Sequence, residues 1–360
     1  MQNSEYFIWG AGLYGERLIN YMKNDITFKA VIDNNPAKQG LEFHGLPIVS
    51  YNDIRSELPD VKIVIAINIP TKVRAFLLSV GLKEYSDFFT IHDFYPRYFW
   101  KKNKSLVIKS LDVPVTTLCT MSCEGCAVFL PMAVSHRHLS YDDVISNINL
   151  VYNHIDKSII LNFAVGENLL NDELPDICSY VNKNHSGRYQ YLTVQTNGTI
   201  VPGNEAMARF ASSGATFGIA NYPENAEYTK LIVDKCNEYK VNWYYNSLGG
   251  DRADWIDYGD PRIIVETDPQ KLREKYQECW KPGMAVYDGR LFICSEQAWS
   301  ILVAEQGTVE PGDAFDLHTP RTERSREELY KYVSRQPPEK GYITHCMRCN
   351  CATTPLSSKK

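Results

Sequence analysis

Thr116-Thr117-Leu118-Cys119-Thr120-Met121-Ser122-Cys123-Glu124-Gly125-Cys126 sets three cysteines in a C-x3-C-x2-C pattern, directly after the apolar run Val113-Pro114-Val115. Three thiolates on one short loop can wrap three corners of a single inorganic cluster. Cysteine thiolates are the ligands of iron–sulfur clusters, and a 4Fe–4S cube held by only three of them keeps one iron open. An open position is what a catalytic metal site needs, whereas a structural site is closed by four ligands. Two plainer readings fit the same residues: half of a zinc knuckle, or three cysteines packed in a core.

Composition bounds the class. A chain of 360 residues with 44% apolar content predicts two or three domains with more than one core. A formal charge of −5 and the lack of any basic run give no footing for nucleic acid or an anionic membrane. Tyr6-Phe7-Ile8-Trp9 is already strand-like, with no charged n-region and apolar h-region ahead of it, and no window reaches about eighteen uninterrupted apolar residues. Neither a signal peptide nor a membrane span is expected. Ten cysteines in such a chain predict reduced thiols and metal ligation, not disulfides. The expectation is a soluble, cytoplasmic protein.

Residues 1–100 read as a Rossmann-like α/β domain. The strand at 6–9 runs into Gly10-Ala11-Gly12-Leu13-Tyr14-Gly15, a helix follows to Met22, and the apolar strand at 28–32 ends at Asp33. Glycines at 10, 12 and 15 let main chain approach a pyrophosphate at a helix N-terminus, and an acid such as Asp33 can bind a ribose hydroxyl. Packing alone also uses such loops. Ala30-Val31-Ile32-Asp33-Asn34-Asn35-Pro36, continuing to Gly45-Leu46-Pro47-Ile48, resembles the nucleotide-sugar-binding domain ahead of some bacterial sugar acyltransferases, and the small Rossmann domains of surface-polysaccharide enzymes. The polar residues 100–105 read as a linker.

Residues 112–264 alternate strand and helix as a parallel α/β barrel does, with strands expected at 113–118, 158–165, 189–195, 215–220 and 241–245. Catalytic groups of such barrels sit at the strands' carboxyl ends. Three motifs fall there: the cysteine loop, Ala164-Val165-Gly166-Glu167-Asn168-Leu169-Leu170, and Gln195-Thr196-Asn197-Gly198. Together, in this order, they resemble the radical S-adenosylmethionine (SAM) enzymes, in which the open iron is chelated by the amino and carboxylate groups of SAM. The resemblance implies a partial (β/α)6 barrel and a SAM-binding 4Fe–4S cluster on Cys119, Cys123 and Cys126. Gly166 and Glu167 stand at that family's GGE motif, Glu167 holding the SAM ammonium by charge-assisted hydrogen bonds. Thr196 and Asn197 lie near the ribose and methionine portions. A Glu or an Asn-Gly at a strand end is also ordinary turn chemistry. Two departures stand out: Val165 replaces the first glycine, and Gly125 sits where an aromatic residue usually meets the adenine, leaving Phe129 as a substitute.

Residues 265–360 carry five more cysteines. Cys279 precedes a hairpin turning at Asp288-Gly289 and ending at Cys294, and Cys346-Met347-Arg348-Cys349-Asn350-Cys351 follows. The set resembles the twitch/SPASM extension of radical SAM enzymes, a small α+β domain, which implies an auxiliary 4Fe–4S cluster on Cys279, Cys294, Cys346 and Cys349. A structural zinc site competes for the same four thiols. Cys351 is a spare thiol, and Asp257 lies in a polar loop where the barrel mouth should be, beside Asp254 and Trp255. Cys178 and Cys236, in amphipathic helices, read as core.

The resemblance implies that a 5′-deoxyadenosyl radical abstracts hydrogen from an unactivated C–H of a carbohydrate or nucleotide-linked sugar, in bacterial surface-polysaccharide or natural-product biosynthesis. An external donor such as flavodoxin or ferredoxin supplies the electron. An auxiliary cluster and a base lead to oxidation, a thiol donor such as Cys351 to epimerisation, and loss of a neighbouring hydroxyl to dehydration. Two other classes stay open: a radical SAM maturase of a ribosomal peptide, and a zinc-stabilised, nicotinamide-dependent oxidoreductase.

Overall fold

A computed structural model describes residues 5–246, 256–279 and 283–350. The chain divides into two units, Met1–Lys109 and Ser110–Lys360. In the first, the strands β1 (Tyr6–Trp9), β2 (Phe28–Ile32), β4 (Leu46–Val49), β5 (Lys62–Ile65) and β6 (Phe88–Thr90) and the short β3 (Glu42–Phe43) form one sheet. Between them come α1 (Leu13–Met22), α2 (Tyr51–Ile54) and α3 (Thr71–Ser79), and α4 (Ile91–Asn103) follows. β1, β2 and β5 are nearly continuous apolar runs, the pattern of parallel strands covered on both faces. The order is β3-β4-β2-β1-β5-β6, parallel throughout except for β3 against β4. The chain moves outward from β1 to β4, then returns to pair β5 on the other side of β1. Gly10 therefore closes β1 where the strand order reverses, the usual place for a ligand crevice.

Residues 100–103, expected as linker, form the last turn of α4, which Lys104 ends in the left-handed conformation with its N–H on Trp100 O. The aromatic stripe Phe94, Tyr95, Tyr98 and Phe99 is buried and carries the helix through its polar end.

The second unit starts on β7 (Val107–Val113), which leads the chain from one unit into the next. Then α5 (Tyr141–His154), β8 (Lys157–Phe163), α6 (Leu174–His185), β9 (Tyr189–Thr196), α7 (Asn204–Ser213), β10 (Ala215–Ala220), α8 (Ala226–Tyr239) and β11 (Asn242–Asn246) alternate. After them come α9 (Pro269–Glu278), β12 (Met284–Tyr287), β13 (Arg290–Phe292), α10 (Ser295–Leu302), β14 (Ala314–Asp316) and α11 (Glu323–Val333). All eight strands make one sheet, ordered β11-β10-β9-β8-β7-β12-β13-β14. β12 lies parallel to β7, and β13 and β14 follow antiparallel. Asp288 and Gly289 both take positive φ, 51° and 67°, as a two-residue hairpin turn requires.

One strand differs from expectation. β7 stops at Val113 instead of occupying 113–118. Pro114 has no N–H for a ladder, and the threonines beyond it bond elsewhere: Thr117 N–H reaches Arg137 O at 2.8 Å and Leu118 N–H reaches Thr116 Oγ1 at 3.0 Å. The other four strands lie within two residues of their expected ends. The chain is thus mixed α/β, with two sheets in which parallel pairs dominate. Among the described residues no helix is long and apolar enough to cross a membrane.

Candidate active site at the carboxyl ends of the second sheet

The cysteine loop leaves β7 and is braced by residues far along the chain. His136 Nδ1 lies 2.7 Å from Thr117 O, and Arg137 N–H donates to Thr117 Oγ1 at 2.8 Å. Farther round, the main-chain N–H groups of Leu130, Val128 and Phe129 lie near enough to the Cys126 sulfur to act on it, and Phe129 N–H bonds Cys126 O at 3.0 Å. Phe129 makes that turn possible by adopting φ 58°. Burial raises the Cys126 thiol, and the three N–H groups oppose it by favouring the thiolate. Cys119 is likewise raised, first by burial and then by the charges of Glu167 and Cys126, while Met121 N–H and the Asn197 amide pull the other way. Cys119 is therefore within electrostatic reach of both Cys126 and Glu167.

β8 ends against this loop. Val165 and Gly166 have φ of 90° and 66°, and a Cβ on Gly166 would lie 2.3 Å from Leu118 O. Only glycine lets the strand end sit on the main chain next to Cys119, where Glu167 N–H then bonds Leu118 O at 2.9 Å. The Glu167 side chain is 0% exposed. It accepts from Asn197 N–H at 2.7 Å, from Leu169 N–H at 3.1 Å and from the Thr196 hydroxyl, yet burial still pushes it up to about 7. Asn197 Nδ2 in turn donates to Thr120 Oγ1 at 3.0 Å and meets Cys119 Sγ at 3.5 Å. The carboxyl ends of β8 and β9 and the loop after β7 are thus tied into one cluster. It contains Cys119, Gly166, Glu167, Thr196 and Asn197.

The second thiol group gathers cysteines from both sides of the hairpin β12–β13. Cys294 follows β13, and its Sγ donates to Glu296 Oε2 at 3.3 Å. Its thiol is raised well above the ordinary range, by burial first, then by Glu296, Cys349 and Cys346. The buried Tyr258 hydroxyl is raised by burial and by Glu296, Cys279, Cys294 and Cys349. Cys279, Cys294, Cys346 and Cys349 therefore share one neighbourhood. Among the described residues no three His, Cys, Asp or Glu side chains are already set around a single ion position.

Asp257 is engaged in bracing: it accepts from Gly259 N–H at 2.9 Å and from Asn350 Nδ2 at 3.1 Å. Cys351, Asp254 and Trp255 lie outside the described residues. Cys178 and Cys236 are fully buried. Phe129 does not offer its ring to a pocket; it is 2% exposed, with its centroid 6.2 Å from that of His345. That contact joins the turn after Cys126 to the residue before Cys346.

In the first unit the glycine turn is tightly packed. A Cβ on Gly15 would meet Gly10 O at 2.2 Å, and one on Gly10 would meet Ile67 Cγ2 at 2.5 Å, whereas Gly12 has nothing within 4 Å. Asp33 accepts from Ala11 N–H at 3.1 Å, Asn35 N–H at 2.9 Å and Lys38 Nζ at 3.1 Å. Burial alone would raise its carboxyl, but these donors outweigh it and hold the group below its ordinary range.

Comparison with known proteins bears on these regions separately. The family model described as C2185-like, N-terminal, matches residues 2–86. No curated protein matches the chain in sequence. Among solved structures, RSP, a Rex-family repressor, is similar to 29% of this chain at 17% identity, with a TM-score of 0.22. That match spans 60% of the repressor's length. BtrN in complex with AdoMet and 2-DOIA is 15% identical over 69% of this chain and 96% of its own, with a TM-score of 0.44. The anSMEcpe structure with bound AdoMet and Cp18Cys peptide is 12% identical, covering 65% and 85%, with a TM-score of 0.40.

Several buried groups of the site carry no motif. Asn168 Nδ2 bonds Phe163 O at 3.2 Å and Gln195 O at 2.8 Å, and Asn171 Nδ2 bonds Val115 O at 2.8 Å. The only hint in the sequence is a pair of asparagines soon after a strand end, a pattern shared with any turn.

Proposed function

We propose that the chain is a radical SAM enzyme acting on a carbohydrate or a nucleotide-linked sugar. The observation that carries this reading is the convergence of three separate strand-end motifs on Cys119 and Glu167, with N–H groups near the Cys126 sulfur. When bound, a 4Fe–4S cluster with an open iron and SAM supply a 5′-deoxyadenosyl radical that abstracts hydrogen from a C–H bond. Cys119, Cys123 and Cys126 hold the cluster, and hydrogen bonds to such sulfurs tune its potential. Gly166 brings main chain close, and the SAM ammonium is held beside the strand end that Glu167 closes. The fully buried Glu167 carboxylate ties that end to Leu169 and Asn197, and Thr196 and Asn197 fix the loop beside it. Buried side chains around the site keep water and stray hydrogen donors away. Cys279, Cys294, Cys346 and Cys349 hold an auxiliary cluster, Asp257 and Cys351 serve proton or hydrogen transfer, and an external flavodoxin or ferredoxin delivers the electron. In the first unit, Gly10, Gly12, Gly15 and Asp33 bind a nucleotide or a nucleotide-sugar.

The test is anaerobic reconstitution followed by assay of iron, sulfide and zinc, with 5′-deoxyadenosine measured after adding reductant and SAM. About eight irons per chain, the content of two cubes, together with deoxyadenosine are expected. Zinc without iron, and no deoxyadenosine, would overturn the proposal in favour of a zinc-stabilised protein. The sugar product, analysed for a carbonyl, an inverted centre or a lost hydroxyl, separates oxidation from epimerisation and dehydration.

A further inference from the structure

A row of polar side chains crosses the second sheet within two residues of its strand ends. On β8, Asn162 Nδ2 donates to Asp112 Oδ1 of β7 at 2.8 Å. The Asn162 Oδ1 accepts from Thr193 Oγ1 and from Gln195 Nε2 of β9, each at 2.8 Å. Gln195 Nε2 also reaches Tyr244 OH of β11 at 3.0 Å, and Asn246 Nδ2 reaches Gln195 Oε1 at 3.3 Å. Between β9 and β11 the row passes Gly218, which pairs in register with Gln195 on one side and Tyr244 on the other. A Cβ at Gly218 would lie 2.5 Å from Gln195 Oε1. The glycine makes room for the amide.

On β7, β8 and β9 alternation sets the row on the more accessible face. Asp112, Asn162 and Gln195 are half-buried, while their strand neighbours Leu111, Leu161, Phe163 and Val194 are fully buried. On β11 Tyr244 and Asn246 are half-buried too, beside the exposed Tyr245. The row also passes close to both thiol groups. In its middle Gln195 is two residues from Asn197, which meets Cys119. At its β7 end, a Cβ on Gly283 would lie 2.9 Å from Asp112 Oδ2, with Ser295, the neighbour of Cys294, close by.

We infer that this row is the surface that reads the hydroxyl pattern of the substrate's sugar ring, with Gln195 held in position by Gly218. The inference rests on the carbohydrate reading above. Beyond the bonds within the row, Asn162 keeps one N–H and Gln195 Oε1 one lone pair, a donor and an acceptor on adjacent strands, which suits vicinal hydroxyls that both give and take a hydrogen bond. A site built on such bonds rejects a ring that lacks the matching hydroxyl. The same ring chemistry arises in a free polyol and in a nucleotide-linked sugar.

Calorimetric titration of the reconstituted full chain, in the presence of SAM, with myo-inositol and with UDP-glucose separates these sources. Wild type is expected to bind at least one of the two. Asn162→Ala and Gln195→Ala should each weaken that binding about tenfold, and Gly218→Ala several-fold, the effects of one or part of a hydrogen bond. Gly218→Ala removes no polar group and presses only on a flexible amide, so it carries the test if either alanine variant melts much lower than wild type. Wild type that binds neither probe, or a Gly218→Ala chain that binds as wild type does, overturns the inference. Deoxyadenosine release is read on the same wild-type sample. Its absence counts against the radical reading, whereas its presence alongside unaltered probe binding in the variants sinks the row alone.

Discussion

Two glycine turns close parallel strands in this molecule, Gly10–Gly15 after β1 and Val165-Gly166 after β8, and their glycines do similar mechanical work. Each holds a carbon-free position against a carbonyl, Gly10 O in one unit and Leu118 O in the other, at 2.2 and 2.3 Å from the missing Cβ. What surrounds them differs. Beside the second turn stand a fully buried carboxylate, two thiols in mutual reach and an amide aimed at sulfur. Beside the first, Asp33 is already satisfied by two N–H groups and a lysine. Glycine reports where main chain must come close. The titratable groups around it report what for.

The comparison breaks most sharply at the thiols. Cys123→Ala should cut reconstituted iron from about eight to about four per chain and reduce deoxyadenosine to background; unchanged iron would dismiss the loop as a cluster site. Next in size is the pair of acids. Glu167→Ala strands two buried N–H groups and opens a cavity, an expected loss of about 2–4 kcal/mol in denaturant unfolding. Asp33→Ala beside the first turn should cost about 1 kcal/mol.

The glycines sharpen the contrast. Gly166→Ala forces a Cβ onto a carbonyl at φ 66° and should cost about 2 kcal/mol or more. Gly12→Ala, which meets nothing, should stay within about 0.5 kcal/mol of wild type while weakening nucleotide binding. Nucleotide binding that is unchanged in Gly12→Ala would make the first turn a packing device alone.

Smaller still is a pH effect in the second unit. Burial lowers His154 and His185 below the ordinary 6.5, so below that pH the unfolded chain takes up protons that the folded chain refuses. The contribution of these two histidines is therefore full above about 6.5 and declines as pH falls. Glu167 and Glu296, pushed up to about 7 by burial, oppose it over the same range. His154→Gln should remove its share, so that stability to unfolding at pH 5.5 relative to 7.5 rises against wild type. The least effect belongs to Val165→Gly. Relief of positive-φ strain, about 1–3 kcal/mol, offsets the loss of a buried valine, about 1.5–3 kcal/mol. The net change should lie within about 1 kcal/mol by thermal melting, where glycine in a regular strand such as β8 would be far more costly.

Those outcomes also measure what a sequence can say. The cysteine loop, Gly166-Glu167 and Thr196-Asn197 were legible because they are short, local and fixed to strand ends that apolar runs announce. β7 was misplaced because Lys109 and Asp112 interrupt its apolar pattern, while VPV after it mimics a strand that Pro114 cannot sustain. The end of α4 was hidden by its lysines, since the aromatic stripe that holds it lies a turn earlier. The braces at His136, Arg137, Asn168 and Asn171, and the row from Asp112 to Asn246, are matters of which strand lies beside which. No local spacing records that. The row becomes visible only when Gly218 is seen opposite Gln195.

One seam has a practical result for anyone dissecting the protein. β7 pairs with β12 along Leu111 and Asp112, and β8 is its other neighbour in the sheet. A truncation ending near residue 264 would not release a tidy smaller barrel. It would unzip a central strand, leave its amides and carbonyls looking for a new partner, and invite the shortened chains to stick to one another.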